Sequence, residues 1–242
     1  MEKENNQYKY VAKIYNYLMR SVDYDHWAQY ILSIYDLLEI KGENILELAS
    51  GNMKLAEKIA VRFPQIIVSD AALEMLRLND NNLNKICCSM ENLPFKIKFD
   101  FIFSTFDSLN YLNTGTRLKK FFEEIASVMT PQSFFTFDVS LENNSLKHVK
   151  RLNRKGKFGN IKYIQKSDYD KKAQIHWNRF KIKLEDGTIV EEVHKQKIYD
   201  FDFYFKVIDD AELYVVHCFE TFTYENANEN SERAQFIIKK KF

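Results

Sequence analysis

The chain has 242 residues, 45% of them hydrophobic, and its 35 Lys and Arg balance 34 Asp and Glu to a formal charge of +1. That length suits one substantial core with at most a small appended part, and so balanced a total offers no long-range attraction for nucleic acid. Three cysteines, two of them adjacent (Cys87, Cys88), make no disulfide framework; the opening MEKENNQYKY lacks the apolar stretch of a signal peptide; and the longest apolar runs, Phe101–Phe103 and Phe134–Phe137, are strand-sized. The expectation is a cytoplasmic chain, monomer or homodimer, with neither membrane nor nucleic acid as partner.

Taken in order, Tyr8, Val11, Ile14, Tyr15 and Leu18 recur at helical spacing, as do Trp27, Ile31, Ile34, Tyr35 and Leu38 after the polar Asp23–His26. Asn44–Leu48 is a short apolar run that ends in Ala49-Ser50-Gly51, and Leu55, Ile59, Ala60 and Phe63 then resume helical spacing. The pattern repeats. Ile66–Ser69 reads as a strand, Leu73–Leu78 as a helix, Lys85–Cys88 and Phe99–Ser104 as strands, Leu118–Val128 as a helix and Ser133–Val139 as a strand. Such alternation predicts an α/β fold, a doubly wound and mostly parallel sheet with helices on both faces.

After Ser140 the texture changes. Lys147–Lys157 is basic and reads as a solvated, irregular stretch, with an anionic substrate as its alternative use. Asn160–Gln165, Ala173–Leu184 and Thr188–Lys195 then alternate apolar and polar residues around the hairpin signal Glu185-Asp186-Gly187, which predicts an antiparallel patch of about 50 residues. Asp200–Asp210 is helical in pattern, and Leu213–Tyr224 and Arg233–Lys240 are strand-like, with the polar loop Glu225–Glu232 between them. The economical organisation is one domain, residues 1–142 and 199–242, with residues 143–198 as an inserted lid.

In open parallel sheets ligands bind at the carboxyl ends of the strands, near the point where strand order reverses. Gly51 follows the first such end and can take positive φ without a Cβ clash. Asp70 ends the next strand 19 residues later, the distance at which nucleoside-binding sheets offer a carboxylate to ribose hydroxyls; a helix cap is its other reading. Cys88-Ser89-Met90-Glu91 and Phe106-Asp107-Ser108-Leu109-Asn110-Tyr111 follow the remaining ends. No Cys or His spacing fits a tetrahedral metal site.

The ordered set of motifs resembles the small bacterial class I S-adenosylmethionine (SAM) dependent methyltransferases. Tyr15–Ile31 is similar to their YDxLMxxVDYxxWAxYI opening, Asp70–Leu76 to a DxSxEML element, Leu93–Phe95 to LPF and Phe106–Leu112 to FDSLNYL. Glu192–Tyr199 looks like ExHxQRxY, and Ser231–Phe236 resembles the last strand. The resemblance spans residues 8–240 and implies a seven-stranded sheet, SAM as cofactor and methyl transfer to the nitrogen or oxygen of a small molecule. Position by position it implies that Tyr15 and Trp27 close over the methionine part, that Glu47, Ala49, Ser50 and Gly51 line it, and that Asp70 and Ala71 meet the ribose. Met90 would pack on adenine, Met75 and Ser89 would also belong to the cofactor site, and Phe106, Asp107 and Ser108 would floor the sulfonium. Asn110, Arg179 and Tyr199 would face the acceptor, with His194 and Tyr111 as candidate bases.

The family carries a second glycine where this chain has Met53. A side chain there is expected to crowd the methionine part, which keeps two alternatives open: a SAM-using enzyme that releases methylthioadenosine by cyclisation or aminocarboxypropyl chemistry, and a SAM-binding protein without catalysis. Ser89 stands where an aspartate commonly meets adenine.

Overall fold

The computed structural model describes residues 7–241, so part of the N-terminal stretch read for a leader lies outside the described residues. Two helices, α1 (Ala12–Leu18) and α2 (Tyr24–Leu37), precede β1 (Ile45–Leu48), α3 (Lys54–Ile59), β2 (Ile67–Asp70), α4 (Leu73–Leu76) and β3 (Asn84–Cys87). There follow β4 (Phe99–Ser104), a 3-10 turn (Ser108–Tyr111), α5 (Gly115–Val128) and β5 (Met129–Ser140). After the second sheet come α7 (Phe201–Asp209), β10 (Leu213–Glu220) and β11 (Arg233–Lys240).

The large sheet has seven strands in the order β10-β11-β5-β4-β1-β2-β3. Strands β3, β2, β1, β4 and β5 pair in parallel, while β11 pairs antiparallel with β5 and with β10. Parallel strands covered on both faces need apolar side chains at every position rather than at alternate ones, and β1 is buried throughout. Leu46, Leu48, Ile102 and Phe135 face α5 and α7. Ile45, Phe101 and Phe103 face the opposite layer, α2 and α3. Asp23 caps α2 by accepting from the His26 amide at 2.9 Å, which starts the helix where its Trp27–Tyr35 stripe meets the sheet.

Strand order runs outward from β1 to β2 and β3, then returns to place β4 on β1's other side. The crevice outside the carboxyl ends of β1 and β4 is therefore the switch point of the sheet.

A second sheet of four antiparallel strands, β6 (Arg154–Phe158), β7 (Ile161–Asp170), β8 (Ile175–Lys183) and β9 (Ile189–Lys197), follows α6 (Glu142–Arg151). The basic stretch expected to be irregular is thus α6 and the edge strand β6: its apolar residues are too few to show a period, and its order comes from pairing with β7. Burial alternates residue by residue along β7. Ile161, Tyr163, Phe180 and Ile182 pack one face of this sheet against Val11, Ile14 and Leu18 of the N-terminal helix region. No helix among the described residues is long and apolar enough to cross a membrane.

Candidate active site

At the switch point a cavity of about 550 Å3 opens between the carboxyl ends of β1, β2, β3 and β4, the start of α5 and the N-terminal segment Gln7–Lys9. The loop after β1 gives it shape. Ala49, Gly51 and Met53 all take positive φ, at 53°, 56° and 59°, so the backbone reverses side at every second residue. A non-glycine residue there costs about 1–2 kcal/mol. At Gly51 a Cβ would stand 3.4 Å from the Met75 methyl and 3.9 Å from the Tyr15 hydroxyl, inside the space those side chains border.

Two carboxylates face that space. Asp70 accepts from the Gly51 amide at 2.8 Å and from the Ala72 amide at 2.8 Å, one bond on each oxygen, so lone pairs on both remain for hydroxyl donors. Burial raises its pKa although the Ala72, Gly51 and Ala71 amides pull the other way. Glu47 is buried, and its Oε2 has no hydrogen-bond partner. Burial first, and the charge of Asp70 second, push its pKa well above the ordinary range.

Of the residues predicted to hold the cofactor, Tyr15, Glu47, Ala49, Ser50, Gly51 and Asp70 line this cavity. So do Ala71, Met75, Ser89, Met90, Phe106 and Ser108, and Tyr111 of the acceptor set joins them. The Ser89 hydroxyl also accepts from the Glu91 amide at 3.2 Å, within its own turn.

Six of the predicted residues do not line the cavity. Trp27 stands behind the wall, its ring 4.6 Å from that of Phe106, because α2 turns its apolar stripe into the core. Asp107, at φ 51°, turns away from the cavity: Arg233 donates to its Oδ1 at 2.9 Å and Gln196 to its Oδ2 at 2.8 Å. Asn110 is fully buried as a tie, donating to the Lys197 carbonyl at 2.8 Å and accepting from the Ser140 amide at 2.9 Å. The Tyr199 hydroxyl donates to the Leu112 carbonyl at 2.6 Å, below the site. Arg179 lies on the outward face of the second sheet, its guanidinium 5.0 Å from the Trp177 ring. His194 stands behind the cavity wall, its Nδ1 3.2 Å from the Tyr111 hydroxyl and its ring 4.6 Å from that of Tyr8.

Met53 also departs from expectation. Its side chain is fully buried in the core beneath α2 and α3 rather than beside the Glu47–Gly51 wall. Burying such a side chain contributes about 1.5–3 kcal/mol, enough to offset the positive φ that a glycine would take without cost. The crowding on which the methylthioadenosine alternative was built is not present.

Other residues of the site escaped sequence reasoning. Tyr8 lines the cavity and its hydroxyl is 2.8 Å from that of Tyr111, though its spacing marked it only as part of a helix. Arg117 at the start of α5 lines the same end and chelates Glu91, with Nε 2.9 Å from Oε1. Arg233 pairs with both Asp107 and Asp138. The negative charge so close holds Arg233 protonated in spite of its burial.

Residues 45–132 match the family model described as "Methyltransferase domain". Over 248 aligned positions the chain is 24% identical to a curated protein of Bacillus subtilis (strain 168), "Putative methyltransferase YqeM", covering 96% of this chain and 97% of that one. Among solved structures, a SAM-dependent methyltransferase from Clostridium acetobutylicum ATCC 824 shares the fold at a TM-score of 0.79 with 21% identity, over 97% of this chain and 99% of that one. The sugar N-methyltransferase KedS8 from Streptoalloteichus sp ATCC 53650 does so at 0.74 with 12% identity, over 93% and 91%.

The cavity suits SAM on its own chemistry. The orphaned Glu47 oxygen is an acceptor without a donor, which an amino-acid ammonium supplies; Asp70 offers free lone pairs to ribose hydroxyls; and the space a Cβ at Gly51 would take stays open. With a methyltransferase domain over residues 45–132, a methyltransferase similar to it along nearly its whole length and ordered motifs from Tyr15 to Phe236 that resemble the class I enzymes, the chain is a SAM-dependent methyltransferase and SAM is its cofactor.

Proposed function

We propose that the chain methylates the nitrogen or oxygen of a small molecule held at the Tyr8–Tyr111 end of the cavity. Bound SAM supplies a methyl group already activated by its sulfonium, so the protein's part is to orient the acceptor, exclude water and receive a proton.

The observation that carries this reading is a file of hydrogen bonds leading away from the cavity. Tyr8 Oη is 2.8 Å from Tyr111 Oη, Tyr111 Oη is 3.2 Å from His194 Nδ1, and His194 Nε2 is 2.7 Å from Glu192 Oε1. Glu192 also accepts from the amides of Tyr8, Tyr10 and Val11 at 2.6, 2.7 and 3.1 Å. Burial acts to raise its pKa, but the His194 ring and the Tyr10 and Val11 amides outweigh it and hold the carboxyl below its ordinary value. An ionised carboxylate only accepts, so the Nε2–H of His194 donates to Glu192 and Nδ1 is turned to the Tyr111 hydroxyl. Tyr111 donates to it and accepts from Tyr8, which leaves the Tyr8 oxygen on the cavity wall as the acceptor that meets the substrate.

Both phenols are pushed upward, chiefly by burial. They stay protonated and pass a proton on rather than keeping one. The acceptor's proton goes to Tyr8, the Tyr8 proton to Tyr111 and the Tyr111 proton to His194, whose imidazolium rests against Glu192. Since Glu192 and His194 belong to β9, residues 143–198 act in this reading as the lid that completes the site. The three free cysteines fit a cytoplasmic setting for the enzyme.

Incubating the purified chain with SAM and a panel of small amines and alcohols tests the proposal. The expected products are S-adenosylhomocysteine and a methylated acceptor. Release of methylthioadenosine, or cofactor binding with no turnover on any acceptor, overturns it.

A further inference from the structure

The near-neutral total conceals a segregation of charge. Residues 143–198 hold fifteen Lys and Arg against six Asp and Glu, whereas the rest of the chain holds 20 against 28. This segment, most of α6 and the second sheet, therefore carries +9 and the remainder −8. Most of that positive charge stands on one surface, the face of the second sheet turned away from α1. Along β7 and β8 burial alternates, so Lys162, Ile164 and Lys166 point outward with Arg179, Lys181 and Lys183 opposite them.

Pairing register sharpens the point. Lys157 stands across from Lys162, and Lys162 from Lys183, a row of three like charges on three neighbouring strands. Like charges directly opposite destabilise a sheet. Among the described residues none of the three pairs with an acid, and on this face Lys181 alone has such a partner, Glu191 at 3.8 Å. A row that costs the free fold stability and has no internal counter-charge is complementary to an external polyanion.

The shape of the surface narrows the choice. The twisted sheet forms a groove of about 500 Å3 walled by Lys155, Lys157, Lys162, Lys181 and Lys183, with Ile164 and Ile189 also lining it. A flat bilayer would touch only the rim of such a groove, and the two β-branched side chains are shorter than the lysines around them, so they cannot lead an insertion into lipid. Four strands at about 4.8 Å spacing make a groove wide enough for one strand of nucleic acid. Among the described residues Trp177 is the one aromatic on this face, and Arg179 and Lys195 lie over its ring at 5.0 and 5.5 Å, so the surface reads phosphates with little base stacking.

We infer that the outward face of the second sheet is a docking surface for the phosphate backbone of single-stranded RNA, the abundant single-stranded polyanion of a cell. The surface lies on the side of the sheet opposite Glu192 and His194, so it holds the enzyme on an RNA without filling the cavity, and it does not depend on which acceptor is methylated.

The test uses the whole chain with no cofactor or acceptor present: fluorescence anisotropy of a labelled 20-nucleotide oligo(U), beside co-sedimentation with vesicles containing anionic lipid. The expected Kd is about 1–100 μM near physiological salt, and with five phosphates neutralised it weakens about 100-fold between 50 and 200 mM salt. The triple variant Lys157→Glu, Lys162→Glu, Lys183→Glu loses at least about 10-fold in RNA affinity and keeps its affinity for SAM by calorimetry, which shows that it is folded. The milder Lys→Gln triple loses less. No RNA binding, RNA binding that the triple leaves unchanged, or vesicle binding that the triple abolishes in the absence of RNA binding overturns the inference.

Discussion

The seven-stranded sheet buries both faces of its central strands under helices, whereas the four-stranded sheet buries one face against the N-terminal helix region and leaves the other to solvent. The difference decides where each can hold polar chemistry. In the large sheet the central strands β1 and β4 are largely apolar and buried, so their contribution to the site is made at the strand ends, at Glu47 and the turn after β4, with Asp70 at the end of β2. In the small sheet alternation gives a full polar row, Glu192, His194 and Gln196, on the inward face of β9 and a lysine row on the outward face of β7 and β8. The two sheets meet through charged and polar side chains: Arg233 of β11 binds Asp107 and Asp138, and Gln196 of β9 binds the other oxygen of Asp107.

That junction is the place to break the comparison. Arg233→Leu leaves two buried carboxylates without a counter-charge, and removing one partner of such a network costs about 3–5 kcal/mol; urea denaturation measures it. Arg233→Lys recovers part of the loss. A variant as stable as the parent would show that the sheets do not depend on this ion cluster.

Tyr111→Phe cuts the file between the cavity and His194 while leaving both sheets in place. The expected result is a fall in kcat of at least about 100-fold on an acceptor that must lose a proton, with SAM affinity unchanged by calorimetry. Unaltered kcat would mean that the acceptor's proton leaves by another route.

Glu47→Gln separates binding from stability on the large sheet. A carboxyl whose folded pKa is raised binds its proton more tightly folded than unfolded, so its ionisation costs stability as pH climbs from the unfolded value through the folded one. The variant therefore has a higher Tm than the parent at pH 7 to 8, and the two converge below about pH 4.5, the ordinary value. Loss of the charged acceptor weakens SAM binding about 10- to 100-fold, as a charge-assisted bond of about 1.5–3 kcal/mol requires. Differential scanning fluorimetry and calorimetry read the two effects, and a lower Tm at pH 7 would contradict the assignment.

The smallest effect falls on the link between the sheets. Gln196→Leu removes one hydrogen bond to Asp107 while Arg233 stays, and about 1–3 kcal/mol of stability goes with it. Hydrogen exchange of β7 to β9 measured against β4 and β5 shows whether the small sheet loosens by itself.

The alternation of short apolar runs with helical spacing up to Val139 determined the large sheet from sequence alone, because periods of 2 and 3.6 residues are local and a strand covered on both faces is apolar whatever its neighbours. Gly51 and Asp70 were legible for the same reason, each standing at the end of a predicted strand. Tertiary structure decided the rest. Met53 turned into the core, since φ and side-chain direction depend on the turn around it. Asp107 was claimed by an arginine 126 residues away, and no local pattern reports a partner at that distance. Tyr8 and His194 joined one file of hydrogen bonds because the turn before α1 and β9, unrelated in sequence, are tied together where Glu192 accepts from the Tyr8, Tyr10 and Val11 amides. The +1 of the whole chain said nothing of its division, for a sum of charges carries no faces until pairing and pleat set Lys157, Lys162 and Lys183 in one row on one side of the second sheet.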